Sequence, residues 1–156
     1  MSVIVYDSVA GIMAADSRAY AGDAHPIGQK IKAHRITKGP LKGSLLGITS
    51  SQPGFAETFR DWVVEGMDID NIINSTPDIE ALLIKPDGSV FYFYDGYVPS
   101  GPLAGKIFTI GSGKRYALGA ALAGKSPQEA VRIACECDTM CGLPVVALAL
   151  KENASA

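Results

Sequence analysis

The chain has 156 residues, 47% hydrophobic and 19% charged, a composition that suits one globular domain over residues 1–156 with a sizeable core. Its 14 Lys and Arg are scattered among 16 Asp and Glu, so the net charge of -2 leaves no basic stripe for nucleic acid or for an anionic membrane. No apolar run reaches the length of a membrane span, and no basic segment precedes the short apolar stretch that Asp7 ends, so the expected location is the cytoplasm.

Residues 2–6, Ser-Val-Ile-Val-Tyr, and the run from Gly11 to Ala15 read as a buried hairpin. Residues 29–36 alternate, with Lys30, Lys32 and His34 on one face and Ile31, Ala33 and Arg35 on the other, which predicts a strand. Gly43 to Ser50 predicts a more apolar one. From Pro53, a favoured first helical residue, Phe55, Phe59, Trp62 and Val63 fall on one stripe at helical spacing and read as core packing. Ile79–Lys85, the turn Pro86-Asp87-Gly88 and Val90–Tyr94 make a second hairpin, and Lys106–Ile110 another strand. A helix is expected to start near Ser112, where Ser112 could serve as its N-cap. The next helix has its start written out, since Ser126-Pro127-Gln128-Glu129 is a capping box with proline at the first helical position. Ala130, Val131, Ala134 and Cys135 give that helix a buried face, Pro144–Leu150 supplies a closing strand, and the Ala/Asn/Ser tail is expected to fray.

Strands and helices are therefore grouped, not regularly alternating, which argues against a doubly wound parallel sheet. Two mainly antiparallel sheets covered by helices on both outer faces satisfy the order, and so does a simpler α+β domain. Periodicity does not choose between them.

Several motifs fail. Gly111-Ser112-Gly113-Lys114 invites a phosphate loop, but Phe108 stands where the upstream glycine belongs and Arg115 replaces the hydroxyl residue. The dinucleotide version fails at Tyr116, where its third glycine is due. Cys135, Cys137 and Cys141 lack a nearby His, and the first two would point to different sides of a helix, so they read as ordinary buried thiols, with no metal or other cofactor expected. With only His25 and His34 and no G-x-S-x-G, no serine triad is apparent. A hydrolase here needs another base. An α-amino group, with a reference pKa of about 7.7–8.0, can be one, and Ser2 behind Met1 offers the arrangement once Met1 is removed.

The surroundings of Ser2 carry a resemblance. Val3-Ile4-Val5-Tyr6-Asp7 followed by Ala14-Ala15-Asp16-Ser17-Arg18-Ala19 resembles the opening of proteasome β-subunits and HslV. Lys30-Ile31-Lys32-Ala33-His34-Arg35-Ile36 is similar to the family's next strand, Thr109 to Leu118 to its I-G-S-G-x-x-Y-A-L segment, and Asp138-Thr139-Met140-Cys141-Gly142 to its D-x-x-S-G loop. These landmarks run in family order from residue 2 to about residue 146. The resemblance implies an α+β, four-layer αββα sandwich of two mainly antiparallel sheets, the N-terminal-nucleophile (Ntn) hydrolase fold, and amide-bond hydrolysis.

By the same resemblance Ser2 is the nucleophile, Lys32 lies beside its hydroxyl, Asp16 holds Lys32 charged and oriented, and Ser112 and Asp138 keep the terminal amine in place. The backbone N–H of Ser50 would meet the oxyanion. The family's partners, carried over, are copies of this chain in a ring and a peptide or unfolded-protein substrate, with any ATP-dependent unfoldase a separate protein. Three departures stand out: Ser2 where most relatives have Thr, Ser50 where they have Gly, and Cys141 in place of the loop Ser. These keep open a catalytically silent ring or scaffold subunit, and a further alternative keeps the terminal-serine chemistry but takes small amides as substrate, as in acylases with related folds.

Overall fold

The computed structural model describes residues 1–72 and 76–152. In chain order the strands are β1 (Ile4–Asp7), β2 (Ile12–Ala15), β3 (Arg18–Tyr20), β4 (Pro26–Gln29), β5 (Ala33–Arg35) and β6 (Leu45–Thr49). Helix α1 (Phe55–Val64) is followed by β7 (Glu80–Ile84), β8 (Val90–Tyr94), β9 (Ser100–Leu103) and β10 (Ile107–Ile110). Helices α2 (Lys114–Leu122) and α3 (Pro127–Cys137) lead to β11 (Val146–Ala149). One sheet has the order β10-β1-β2-β11, a second β5-β6-β7-β8-β9, and β3 pairs with β4 apart from both. All the pairings are antiparallel.

Strand alternation sorts the apolar residues into three core layers. Val3, Val5 and Ala14 face α2 and α3, where they meet Ala117, Ala130, Val131 and Ala134. Ile4, Tyr6 and Met13 face the other way and pack between the sheets against Leu45, Leu82 and Ile84. Leu46, Ile48, Ala81, Leu83 and Phe93 face outward again, onto Phe59, Trp62 and Val63 of α1. The layers are thus helix, sheet, sheet, helix, the αββα sandwich. Both sheets are covered on both faces, which is why β1 and β7 read as continuous apolar runs. The sheets approach closely at Gly47, where a Cβ would stand 2.7 Å from Ile4 Cγ2 and 3.0 Å from Met13 Sδ.

The helices follow their local sequence. In α1, Phe59 and Trp62 pack against Phe93 and Tyr97 at ring separations from 4.8 to 6.4 Å, edge to face except for the stacked Phe59–Tyr97 pair. The capping box at α3 is present, with Ser126 accepting from Glu129 N–H and Glu129 reaching back to Ser126. Helix α2 buries only Ala117 and Ala121, small residues that let it lie close to α3 and β1.

Several expectations are corrected. The alternation over residues 29–36 does not hold: Lys32 and Ala33 are both buried, Ile31 is exposed, and the segment is split between the end of β4 at Gln29 and β5 at Ala33–Arg35. The chain turns there so that the Lys32 ammonium reaches a buried carboxylate. Pro53 precedes α1, whose cap is Gly54 in a left-handed conformation. Gly113, not Ser112, is the N-cap of α2. Of the three thiols only Cys141 is buried; Cys135 is half-buried and Cys137 exposed. Strands β3, β4 and β9 were not expected. Strand β9 holds Pro102 and is fully exposed at the sheet edge, where a missing N–H costs least. The expected fraying of the tail falls on residues 153–156, outside the described residues.

Candidate active site

Six separate segments meet around Ser2. The residue precedes β1 at the middle of the first sheet and is 2% exposed, so each of its polar groups needs a partner. Its carbonyl accepts from Gly113 N–H at 3.0 Å. Its own N–H donates to Ser112 Oγ at 3.2 Å. The turn that makes this possible needs Gly111, whose φ of +93° sets its Cα against the Ser2 carbonyl; a Cβ there would lie 2.2 Å from that oxygen.

Asp16, one residue past β2 and 0% exposed, is held from several sides. Val3 N–H donates to its Oδ1 at 3.0 Å, Gly142 N–H to its Oδ2 at 3.0 Å, and Lys32 Nζ to Oδ1 at 2.9 Å. Lys32 is 3% exposed, and no other salt bridge among the described residues is so fully enclosed. Burial pulls the Lys32 ammonium below the usual lysine value, while the charge and hydrogen bond of Asp16 pull it back up. The predicted pairing of these two residues is therefore present, as a charge-assisted bond in a dry setting.

The loop after α3 is clamped by the segment after β2. Ser17 N–H donates to Gly142 O at 2.9 Å, and Ser17 Oγ to Pro144 O at 2.7 Å. Arg18 Nη1 and Tyr20 OH both reach Thr139 O, at 3.0 and 2.8 Å. Asp138 accepts from Met140 N–H at 2.9 Å and from Cys141 Sγ at 3.5 Å. Partial burial raises its carboxyl, but bonds from Ser112, Met140 and Cys141 outweigh that and hold it below the ordinary value. Ser112 Oγ accepts from Ser2 N–H and donates to the Ser2 carbonyl at 3.4 Å, so it grips both backbone polar groups of that residue. Cys141 stands 3.9 Å from Ser112 Oγ. Burial, with Asp16 and Asp138 nearby, pushes the thiol up to about 12, so it stays protonated.

Ser50 lies just beyond β6 and lines a cleft of about 170 Å³ together with Ser2, Lys32 and Thr49. Its hydroxyl is turned away into the next turn, donating to Gln52 O and accepting from Gln52 N–H, each at 3.0 Å. Lys30 and Glu57 face each other across 2.6 Å in the same cleft. Met1 lies in this cleft and in the neighbouring one formed by Asp78, Glu80 and Lys114. Its terminal amine is lowered from 8.0, chiefly by burial.

All six expected residues, Ser2, Asp16, Lys32, Ser50, Ser112 and Asp138, together with Cys141, are brought to one place. Sequence reading missed Thr49, whose Oγ1 is 2.8 Å from Ser2 Oγ. Only its position beside Ser50 at the end of a buried strand could have pointed to it. Among the described residues no cluster of His, Cys, Asp and Glu is suited to a metal ion.

No protein-family model matches the chain, and no curated protein does. Solved structures do. BPH of Thiobacillus denitrificans in complex with Epoxomicin is 18% identical with a TM-score of 0.65, over 96% of this chain and 99% of that one. A second structure of that protein gives 18% and 0.57, over 97% and 99%. Eukaryotic HslV from Trypanosoma brucei is 16% identical with a TM-score of 0.63, over 94% and 99%. The likeness runs through nearly the whole of each chain, and the fold of this protein is the HslV-like αββα sandwich that its motifs implied.

Proposed function

We propose that this chain is an N-terminal-nucleophile peptidase that hydrolyses peptide bonds with Ser2 after removal of Met1. The observation that carries the reading is the enclosed Asp16–Lys32 pair opening into the cleft that Ser2 lines. Such a pair is costly to bury, and a solvated surface would suit it better unless it acts there.

In this reading Ser2 Oγ attacks the scissile carbonyl carbon and its proton passes to the freed Ser2 amine, directly or through water. Lys32 favours the developing negative charge and Asp16 fixes Lys32 in place. The Ser50 N–H stabilises the oxyanion. The amine then protonates the departing nitrogen as the C–N bond breaks, and water cleaves the ester that remains. Ser112 and Asp138 orient the amine, since the Ser2 nitrogen already bonds Ser112. Met1, which lines the cleft and blocks the Ser2 amine as an amide, has to leave before the amine can act as base. The family resemblance carried by the sequence motifs extends the proposal to a ring of identical subunits in the cytoplasm, fed by a separate ATP-dependent unfoldase.

The test is the intact mass of the purified chain before and after incubation with a peptide epoxyketone such as epoxomicin, the ligand in one BPH structure. A single adduct that Ser2→Ala abolishes is expected. A chain that keeps Met1 and takes up no inhibitor refutes the reading and favours a scaffold subunit. Native mass reads the ring, and a monomer refutes that part. Cleavage of small acyl amides without peptides would move the substrate class to an acylase.

A further inference from the structure

We propose that Thr49 sets the rotamer of the Ser2 nucleophile, standing in for the branch methyl that a threonine nucleophile would carry on its own Cβ. The inference rests on Ser2 being the nucleophile.

Serine has three open staggered wells at χ1, whereas a β-branched residue is stiff there. A nucleophile misplaced by about 1 Å loses roughly a hundredfold in rate, so an unbranched one needs an external hold. Thr49 supplies it. Its Oγ1 stands 2.8 Å from Ser2 Oγ, a normal O–H···O length, and the two residues are 8% and 2% exposed. Thr49 is the last residue of β6, paired with Glu80 of β7, and is itself β-branched, so its hydroxyl is aimed by a rigid strand end.

The direction of the bond follows from the proton count. The Ser2 hydroxyl donates its single proton to the Met1 carbonyl, so Thr49 must be the donor to Ser2 Oγ. Once Met1 is gone, the Ser2 proton is left for the freed amine. Thr49 keeps its own proton throughout: it holds Ser2 Oγ while the Oγ–C bond forms, and steadies the same oxygen when water breaks that bond and the amine returns its proton. Thr49 is thus a positioning residue.

A buried threonine that only satisfies its own hydroxyl would give the same static picture, and a double-mutant cycle separates the two. The readout is the rate of adduct formation by a peptide epoxyketone on Met1-free chains. Thr49→Val is expected to lower the maximal rate about tenfold, the worth of one well-placed neutral hydrogen bond, with the half-saturating concentration unchanged. Thr49→Ser restores the rate to within about twofold. In a Ser2→Thr background, where χ1 is already restricted, Thr49→Val costs about twofold or less. A Thr49→Val chain that reacts at the wild-type rate overturns the proposal, and so does an equal loss in both backgrounds. Should the Ser2→Thr chain fail to fold, the contrast between Val and Ser at position 49 decides. No adduct on the wild-type chain would overturn the Ser2 reading itself, a separate result.

Discussion

Gly111→Ala is the substitution whose effect follows most directly from geometry. The added methyl would lie 2.2 Å from the Ser2 carbonyl oxygen, 2.7 Å from its carbon and 3.2 Å from Val3 N. Ordinary contact is about 3.5 Å, so one backbone must retreat by roughly 1 Å. Neither can do so freely, because Ser2 O is bonded to Gly113 N–H at 3.0 Å and Ser2 leads directly into β1. The φ of +93° at Gly111 adds about 1–2 kcal/mol for any L-residue. With about 1 kcal/mol for a weakened hydrogen bond, the total is about 2–3 kcal/mol. That corresponds to a Tm lower by roughly 4–12 °C for a chain of this size. The rate of epoxyketone adduct formation should fall about a hundredfold, since Ser2 moves with its own carbonyl. Gly119→Ala is the control: nothing lies within 4 Å of its Cβ and it sits inside α2, so it should stabilise by about 0.5–1 kcal/mol with the rate unchanged. A Gly111→Ala chain with wild-type rate and Tm would refute the claim that this turn holds the nucleophile.

Lys32→Met leaves the buried Asp16 carboxylate without its cation, which should cost about 3–5 kcal/mol and abolish adduct formation; a reactive, equally stable variant would remove Lys32 from the mechanism. Iodoacetamide should label the exposed Cys137 first and leave Cys141, held up at about 12, untouched until the chain unfolds, as peptide mapping would read; early labelling of Cys141 refutes its enclosure. Burial, with Arg60 nearby, pulls His34 down to about 4 from 6.5. The unfolded chain therefore takes up a proton that the folded one refuses, so stability should fall as pH drops from 6.5 towards 4. His34→Gln should flatten that part of the Tm–pH curve, and an unchanged slope contradicts the assignment.

The parts of the fold legible in the sequence were those governed by local rules. The capping box of α3, the hairpin turn at Asp87-Gly88 and the aromatic stripe of α1 each depend on residues within a few positions of one another. Strand Ala33–Arg35 is shorter than the alternation of residues 29–36 predicts. In the structure a long-range ion pair overrides the pleat, drawing Lys32 inward beside buried Ala33. Strands β3 and β4 carry no apolar signal, since β4 is exposed throughout and β3 only partly buried; their pairing instead positions Arg18 and Tyr20 over Thr139.

The site was legible only as a set of motifs in order, never as a shape, and Thr49 shows why. Nothing in the string marks its hydroxyl off from that of Ser50 or Ser51. Which of the three meets Ser2 is decided by the pleat: Leu46 and Ile48 turn to α1, while Leu45, Gly47 and Thr49 turn towards β1. The absence of a side chain at Gly47 lets the sheets close onto Ile4 and Met13, and the same approach brings Thr49 within hydrogen-bonding distance of Ser2. The packing of two sheets against a glycine and the hold on the proposed nucleophile are therefore one feature. Widening the gap at Gly47 would be felt at Ser2.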